Sequence, residues 1–264
     1  MALLDFLKLP ESRNIQDLDA PETTLLHRKI IQQKPLLKNL YLDFYSVFEK
    51  YCPQIRSGFC VELGSGGGFL KEIYPLVTTS DILKVSGVDL FFSGLDMPFE
   101  DGAVDGFVML DVFHHVPDSH QFLQEMRRCL KPGGRIVMIE PANTVFGRFI
   151  YKNFHHEAFD PWGSWQLPQD GGPLSCANGA LPWIVFSRDR EKLRRDFTNF
   201  KLLEFKAHTP LRYLLSGGVS MRALMPSWME GGIKFAEALI SPLADWTGLF
   251  YTIVVEREAA PHAL

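Results

Sequence analysis

The stretch Val61-Glu62-Leu63-Gly64-Ser65-Gly66-Gly67-Gly68-Phe69 decides how the chain folds. Gly58-Phe59-Cys60-Val61 reads as an apolar strand running into Glu62, and a helical pattern starts near Phe69. Glycines turn the backbone between them. Glycine takes positive φ without steric cost and has no Cβ to keep a ligand at a distance. The helix N-terminus that follows offers N–H donors to an anionic group. A dinucleotide fingerprint, G-x-G-x-x-G, would need a glycine where Phe69 stands. The spacing is instead E-x-G-x-G-x-G, and the acid at the strand end suits a ligand that carries an ammonium group.

Downstream, Val77 to Asp81 reads as a short strand ending in an acid, and Val85 to Phe92 as another. The gap between them is too short for a crossover helix, so either a loop replaces the helix or one strand is misassigned. Gly106 to Val112 reads as a buried strand, Asp118 to Leu130 as a helix stopped by Pro132-Gly133-Gly134, and Arg135 to Glu140 as a fifth strand. This alternation implies a parallel sheet with right-handed crossovers, whose ligands collect beyond the carboxyl ends of the strands. Glu62, Asp81, Asp111, His114, His115 and Glu140 all fall there. Upstream, Leu25 to Phe48 carries a helical apolar pattern divided by Pro35. Residues 142–185 break the pattern with histidines, glycines and Trp162, Trp165 and Trp183. Lys201 to Ala207 and Phe250 to Val255 read as the last two strands. Residues 209–249 between them are apolar and sparsely charged, which suits a lid, an oligomer surface, a membrane contact or ordinary packing.

The chain has 264 residues, with 31 acidic and 27 basic side chains. That length suits one domain with insertions, and the charge balance argues against a nucleic-acid partner. Cys52, Cys60, Cys129 and Cys176 lie far apart without a C-x-x-C pair, so neither a disulfide framework nor a zinc site is expected, and a cytoplasmic setting fits. Met1 to Pro10 lacks the features of a signal peptide, and no apolar run is long enough to span a bilayer.

The glycine stretch, together with Leu95-Asp96-Met97-Pro98-Phe99, Asp105 to Pro117 and Leu130-Lys131-Pro132-Gly133-Gly134-Arg135, resembles the type 11 group of class I S-adenosylmethionine-dependent methyltransferases over residues 58–141. The resemblance implies a Rossmann-like seven-stranded sheet of order 3-2-1-4-5-7-6 with its last strand antiparallel. The implied organisation is a single domain over 1–264: N-terminal helices at 22–50, a cofactor-binding core at 58–141, an acceptor cover with strand six at 142–249, and the final strand at 250–256. It also implies that Glu62, Gly64, Ser65, Gly66 and Gly68 surround the methionine part of S-adenosyl-L-methionine and that Asp81 holds the ribose hydroxyls. Met97 would lie near the adenine, Ser93 would stand where the family often has an aspartate for the adenine amine, and Leu110 and Asp111 would line the methionine side.

Methyl transfer to oxygen needs a base, and a histidine near neutral pKa is suited to it. His156 with Glu157 is the first candidate and His115, just beyond strand four, the second. His155, His156, Glu157 and Asp160 have no established metal-ligand spacing, so no metal is expected. The tryptophans either anchor the long loop on the domain or offer flat faces to an acceptor; with the apolar 209–249 segment, the second reading suits a small-molecule, glycan or glycolipid acceptor, with peripheral membrane contact allowed. The competing readings are a catalytically silent adenosylmethionine-binding protein and a nicotinamide-dependent oxidoreductase, the latter disfavoured by Phe69 and Glu62.

Overall fold

The computed structural model describes residues 7–14, 17–155, 157–168 and 171–259. Seven strands form one sheet: β1 (Cys60–Glu62), β2 (Thr78–Asp81), β3 (Leu90–Phe91), β4 (Val104–Leu110), β5 (Leu130–Pro141), β6 (Phe200–His208) and β7 (Phe250–Arg257). Their order is β3-β2-β1-β4-β5-β7-β6, and β7 runs antiparallel to both of its neighbours. This is the implied methyltransferase sheet.

The central strands are buried on both faces, so their apolar residues divide by period two. Phe107, Met109, Ile136, Met138, Ile253 and Val255 enter one core. Val108, Val137, Ile139 and Val254 enter the other. The helix Ser119–Cys129 covers the first face; Asp118 caps it by accepting from the N–H groups of His120 and Gln121, both at 3.0 Å. The helices Pro21–Gln33 and Pro35–Tyr51, separated by Lys34, belong to the second face, and Leu37, Leu40, Phe44 and Phe48 carry the packing.

The connection between β2 and β3 is a loop. The strand expected over Val85 to Phe92 contracts to Leu90–Phe91, because Asp89 is occupied in holding the loop. Its carboxylate accepts from the backbone N–H of Thr79 at 2.8 Å and the Thr79 hydroxyl at 2.9 Å, and it pairs with Lys71. The helix after the glycine turn is a single turn, Leu70–Ile73.

Residues 142–249 interrupt the sheet between β5 and β7, apart from β6. They supply the helix Val145–Phe154, an irregular segment, the helix Arg190–Asp196 and the helix Glu230–Ile240. The last of these is inverted relative to an ordinary surface helix. Glu237 is buried, where it accepts from the Leu211 and Arg212 N–H groups and pairs with the Arg212 guanidinium at 2.6 Å. Phe235 and Leu239, continued by Leu243 and Trp246, point outward and are 67%, 65%, 56% and 66% exposed. No helix among the described residues is long and apolar enough to cross a membrane.

The interior tolerates little added volume where β4 meets the end of the Pro35–Tyr51 helix. A Cβ on Gly106 would stand 2.3 Å from the buried Cys52 Sγ. Gly106→Ala should therefore cost roughly 1–3 kcal/mol by overpacking, read as a lower urea midpoint at unchanged slope. Adding Cys52→Ala should recover part of the loss. An unchanged midpoint in the single variant would show that the helix end yields freely.

Candidate functional site

The carboxyl ends of β1, β2, β4 and β5 open into a cavity of about 730 Å³, within the usual range for small-molecule sites. Glu62, Gly64, Ser65, Gly66, Gly68, Asp81, Ser93, Leu110, Asp111, His115 and Glu157 all line it. Met97 is buried in the core and does not line the cavity; Leu95 does. His156 lies outside the described residues.

At one end, the glycine turn leaves β1 with Gly64 at φ 62°, where a Cβ would stand 2.5 Å from Val112 Cγ2. Only glycine fits there without displacing Val112. Asp81 ends β2 and fixes the turn: its Oδ2 accepts the Gly66 N–H at 3.0 Å and its Oδ1 the Leu83 N–H at 2.8 Å. Burial raises the Asp81 pKa against these hydrogen bonds. Glu62 is also buried, and burial pushes its carboxyl up to about 8, with nearby Asp81 adding to the rise and Ser65 and Arg28 opposing it. The Phe69 N–H donates to the Tyr45 hydroxyl at 2.9 Å, and the Phe69 ring packs edge-on against Tyr45 at 5.0 Å. That aromatic contact occupies the position where a dinucleotide fold needs its third glycine.

At the other end, Asp111 leaves β4 at φ 55°, an uncommon conformation for a residue other than glycine. Burial pushes its carboxyl up to about 8, opposed by His114 and assisted by Glu140 and Glu157. Beyond it, His114 Nδ1 lies 2.7 Å from Glu140 Oε2 and His114 Nε2 lies 3.3 Å from Glu157 Oε2. Burial opposes charge on this imidazole, but the two carboxylates outweigh it and raise the His114 pKa well above its ordinary value. Glu157 is correspondingly held well below the carboxylate range, its burial outweighed by His114. His115 is pushed down to about 4, by burial first and then by the neighbouring His114 charge. Its Nδ1 lies 3.1 Å from the Cys176 carbonyl oxygen and its Nε2 3.6 Å from Glu157 Oε1.

The walls between these ends come from the flanking helices and the cover. Thr24 and His27 of the first helix, and Tyr41 and Tyr45 of the second, face the cavity. Tyr151, Leu167, Cys176 and Tyr213 face it from the 142–249 region. The tyrosines were hidden in the sequence because each sits in an apolar helical pattern that reads as packing; their hydroxyls in such patterns were the available signal. Trp162, Trp165 and Trp183 do not line the cavity. Trp165 is buried and donates to Asp189 at 2.9 Å, while Trp162 is exposed.

Comparison with known proteins agrees with this geometry. A family model described as a methyltransferase domain, of the type 11 group, matches residues 61–138. Residues 61–138 thus carry a methyltransferase domain of the type 11 group, and the chain is similar to class I S-adenosylmethionine-dependent methyltransferases. It is 35% identical over 122 residues to a demethylmenaquinone methyltransferase of Symbiobacterium thermophilum, covering 42% of this chain and 48% of that protein. It is 34% identical over 70 residues to the chloroplastic tocopherol O-methyltransferase of Arabidopsis thaliana, covering 26% and 18%. A match of 31% over 125 residues to a highly reducing polyketide synthase of Aspergillus terreus covers 47% of this chain and 5% of that one. The chain thus spans about half the length, or far less, of these relatives. Among solved structures, a geranyl diphosphate methyltransferase in complex with S-adenosylmethionine shares the fold, with a TM-score of 0.52 and 14% identity over 88% of this chain and 90% of that one.

The Glu62 end fits a ligand with an ammonium group, because Glu62 is a buried carboxyl with no ion pair among the described residues. Near pH 7 that carboxyl is largely protonated and must lose its proton to face the ammonium. Affinity for S-adenosylhomocysteine should therefore tighten as pH rises from 6 to about 8 and gain little above it. Glu62→Gln should reduce this slope and weaken binding by roughly ten- to a hundredfold, the worth of a hydrogen bond to a charged group. Titration calorimetry across that pH range measures both. An unaltered slope in the variant would remove Glu62 from the ammonium site.

Proposed function

We propose that the chain transfers the methyl group of S-adenosylmethionine to a hydroxyl oxygen of a small, largely apolar acceptor. The observation behind this reading is the make-up of the Asp111 end: apolar and tyrosine walls converge on one polar group, His114, His115 and Glu157. When bound, S-adenosylmethionine supplies a methyl group on a sulfonium, open to in-line displacement. Glu62, Gly64, Ser65, Gly66 and Gly68 would hold its methionine part, Asp81 the ribose hydroxyls and Ser93 the adenine edge. Leu110 and Asp111 would line the methionine side from the end of β4. The chain's own task is to align the acceptor, exclude water and receive a proton. In this reading Glu157 accepts the acceptor hydroxyl hydrogen, and His115, held by the Cys176 carbonyl, orients it. A glycan acceptor loses its sequence argument, since none of Trp162, Trp165 and Trp183 lines the cavity.

The screen that tests this covers phenols, hydroquinones, isoprenoid alcohols and sugars, reading S-adenosylhomocysteine formation and the product by NMR. An O-methylated phenol or alcohol is expected. Glu157→Gln should lower turnover by about a hundredfold or more while cofactor affinity stays within about threefold. A C-methylated product would overturn the choice of oxygen, and cofactor binding without turnover on any acceptor would favour the silent binding protein.

We also propose peripheral contact with a membrane surface through the outward stripe Phe235, Leu239, Leu243 and Trp246, to which Trp228, 81% exposed, lies close in sequence. Tryptophan at the boundaries of an apolar stripe suits a lipid headgroup interface. Co-sedimentation with phosphatidylcholine–phosphatidylglycerol vesicles is expected, and loss of it in a Phe235→Asp, Leu239→Asp variant. A dimer in light scattering that the same variant dissolves, without vesicle binding, would assign the stripe to a second copy.

A further inference from the structure

The two imidazoles at the Asp111 end both keep a hydrogen on Nδ1, by different means. His114 Nδ1 faces Glu140 Oε2 at 2.7 Å, and Glu140 Oε1 is already filled by the N–H groups of Val112 at 2.9 Å and Phe113 at 2.7 Å. His115 Nδ1 faces the Cys176 carbonyl oxygen at 3.1 Å. A carbonyl oxygen only accepts, so His115 carries its hydrogen on Nδ1 and presents the Nε2 lone pair. The carboxylate of Glu140 likewise keeps a hydrogen on His114 Nδ1, so a cation would displace only the hydrogen on its Nε2. Both Nε2 atoms then point toward the Glu157 carboxylate, at 3.3 Å and 3.6 Å. These three ligand-type side chains offer atoms that all lie within 4.8 Å of one another.

Those separations are long for charge-assisted hydrogen bonds, which close to about 2.7–2.9 Å. They run to different oxygens, Oε2 for His114 and Oε1 for His115, and each has the length that separates two ligand atoms around a tetrahedral ion with bonds of about 2.0–2.2 Å, roughly 3.3–3.6 Å. An imidazole whose far nitrogen is tied to a carboxylate or a backbone carbonyl is also the usual support of a metal-ligating histidine. Contrary to the sequence expectation of no metal, we propose that His114 Nε2, His115 Nε2 and Glu157 hold a divalent first-row cation of the zinc, cobalt or iron class, with its remaining position open to the cavity. Two imidazoles and one carboxylate favour such ions over magnesium or calcium. The second cluster, Asp111, His114 and Glu140, serves less well because Glu140 and His114 Nδ1 are committed to each other and to the backbone.

The proposal rests on the functional reading only for the consequence, and it changes the part Glu157 plays there: the carboxylate holds the cation instead of receiving the proton. An acceptor hydroxyl on the open position would lose its proton to water or to a cavity base near neutral pH, because the cation stabilises the resulting oxyanion. The acceptor would then be one that can offer an oxygen to a metal, such as a phenol, an enol or a hydroxy-ketone.

The test is cobalt binding by the whole protein after chelator treatment and desalting, with S-adenosylhomocysteine present and absent. One Co²⁺ per chain at micromolar or lower concentration is expected, with visible d–d absorption of the intensity typical of four- or five-coordinate nitrogen–oxygen sites. His115→Ala and Glu157→Gln should each weaken cobalt binding at least a hundredfold. Cofactor affinity should stay within about threefold in both, which certifies that the variants are folded. Absence of stoichiometric cobalt, or equal retention by both folded variants, would overturn the proposal. Cobalt bound as expected with no methyl transfer on any acceptor would leave the site standing and count against the functional reading alone.

Discussion

Glu140, the last acid of β5, is fully buried, and the geometry of the cavity's far end depends on how it is compensated. A buried carboxylate costs several kcal/mol unless donors replace its water. Here the donors come from the turn that leaves β4: the Val112 and Phe113 N–H groups on Oε1, and the His114 ring on Oε2. The same bonds serve backbone groups that no neighbouring strand can reach, so one side chain answers two deficits. Tied in this way, the turn holds Asp111 at φ 55° and fixes the plane of the His114 ring. Glu157 then meets an imidazole whose direction is already set. The cover needs to bring only one carboxylate to the right place.

The part of the fold written in local backbone chemistry was legible in the sequence. Glu62, the spaced glycines and Asp81 converge because a strand, a tight turn and a parallel neighbour leave them no other place, and Phe69 correctly argued against a dinucleotide fold. What failed depended on which partner a side chain finds. Asp89 has the alternation of a strand residue, yet Thr79 and Lys71 recruit it to a loop. Met97 carries the family's adenine position in sequence but turns into the core, leaving Leu95 at the cavity. The three tryptophans read either as acceptor faces or as anchors of the long loop; Trp165, held inward by Asp189, is an anchor, and Trp162 points to solvent. His114 and Glu140 were visible as acids and imidazoles at the sheet edge. That they bond to each other, and that Glu157 closes the chain from 17 residues further on, needed the three-dimensional path of the insertion.

The 230–247 segment shows the same limit from another side. Its apolar spacing, Phe235, Leu239, Leu243 and Trp246, is that of a helix face meant for a core. A pattern of that kind gives the existence of a stripe but not its direction. Direction is decided by the opposite face, where Glu237 pairs with Arg212 and caps the Leu211 and Arg212 N–H groups in a buried position. An ion pair with those extra hydrogen bonds is costly to turn outward once its partners are fixed on the short helix Arg212–Ser216. The apolar stripe is left outside as a consequence.

Acids dominate both ends of the cavity, and this bears on what can occupy it. Burial raises the carboxyls of Glu62 and Asp111 to about 8, so each is mostly neutral near pH 7 until a positive group arrives. A ligand with an ammonium group beside Glu62 and a sulfonium toward Asp111 relieves that penalty at two points. A nicotinamide dinucleotide would bring a pyrophosphate to the turn between Glu62 and Asp81. There the Gly66 N–H, which an anion would need, is already given to Asp81 Oδ2 at 3.0 Å. The turn thus offers acceptors where a pyrophosphate requires donors. The same glycine-rich element that cradles phosphate in other folds is set here beside two buried acids, Glu62 and Asp81, which favour a cationic ligand over an anionic one.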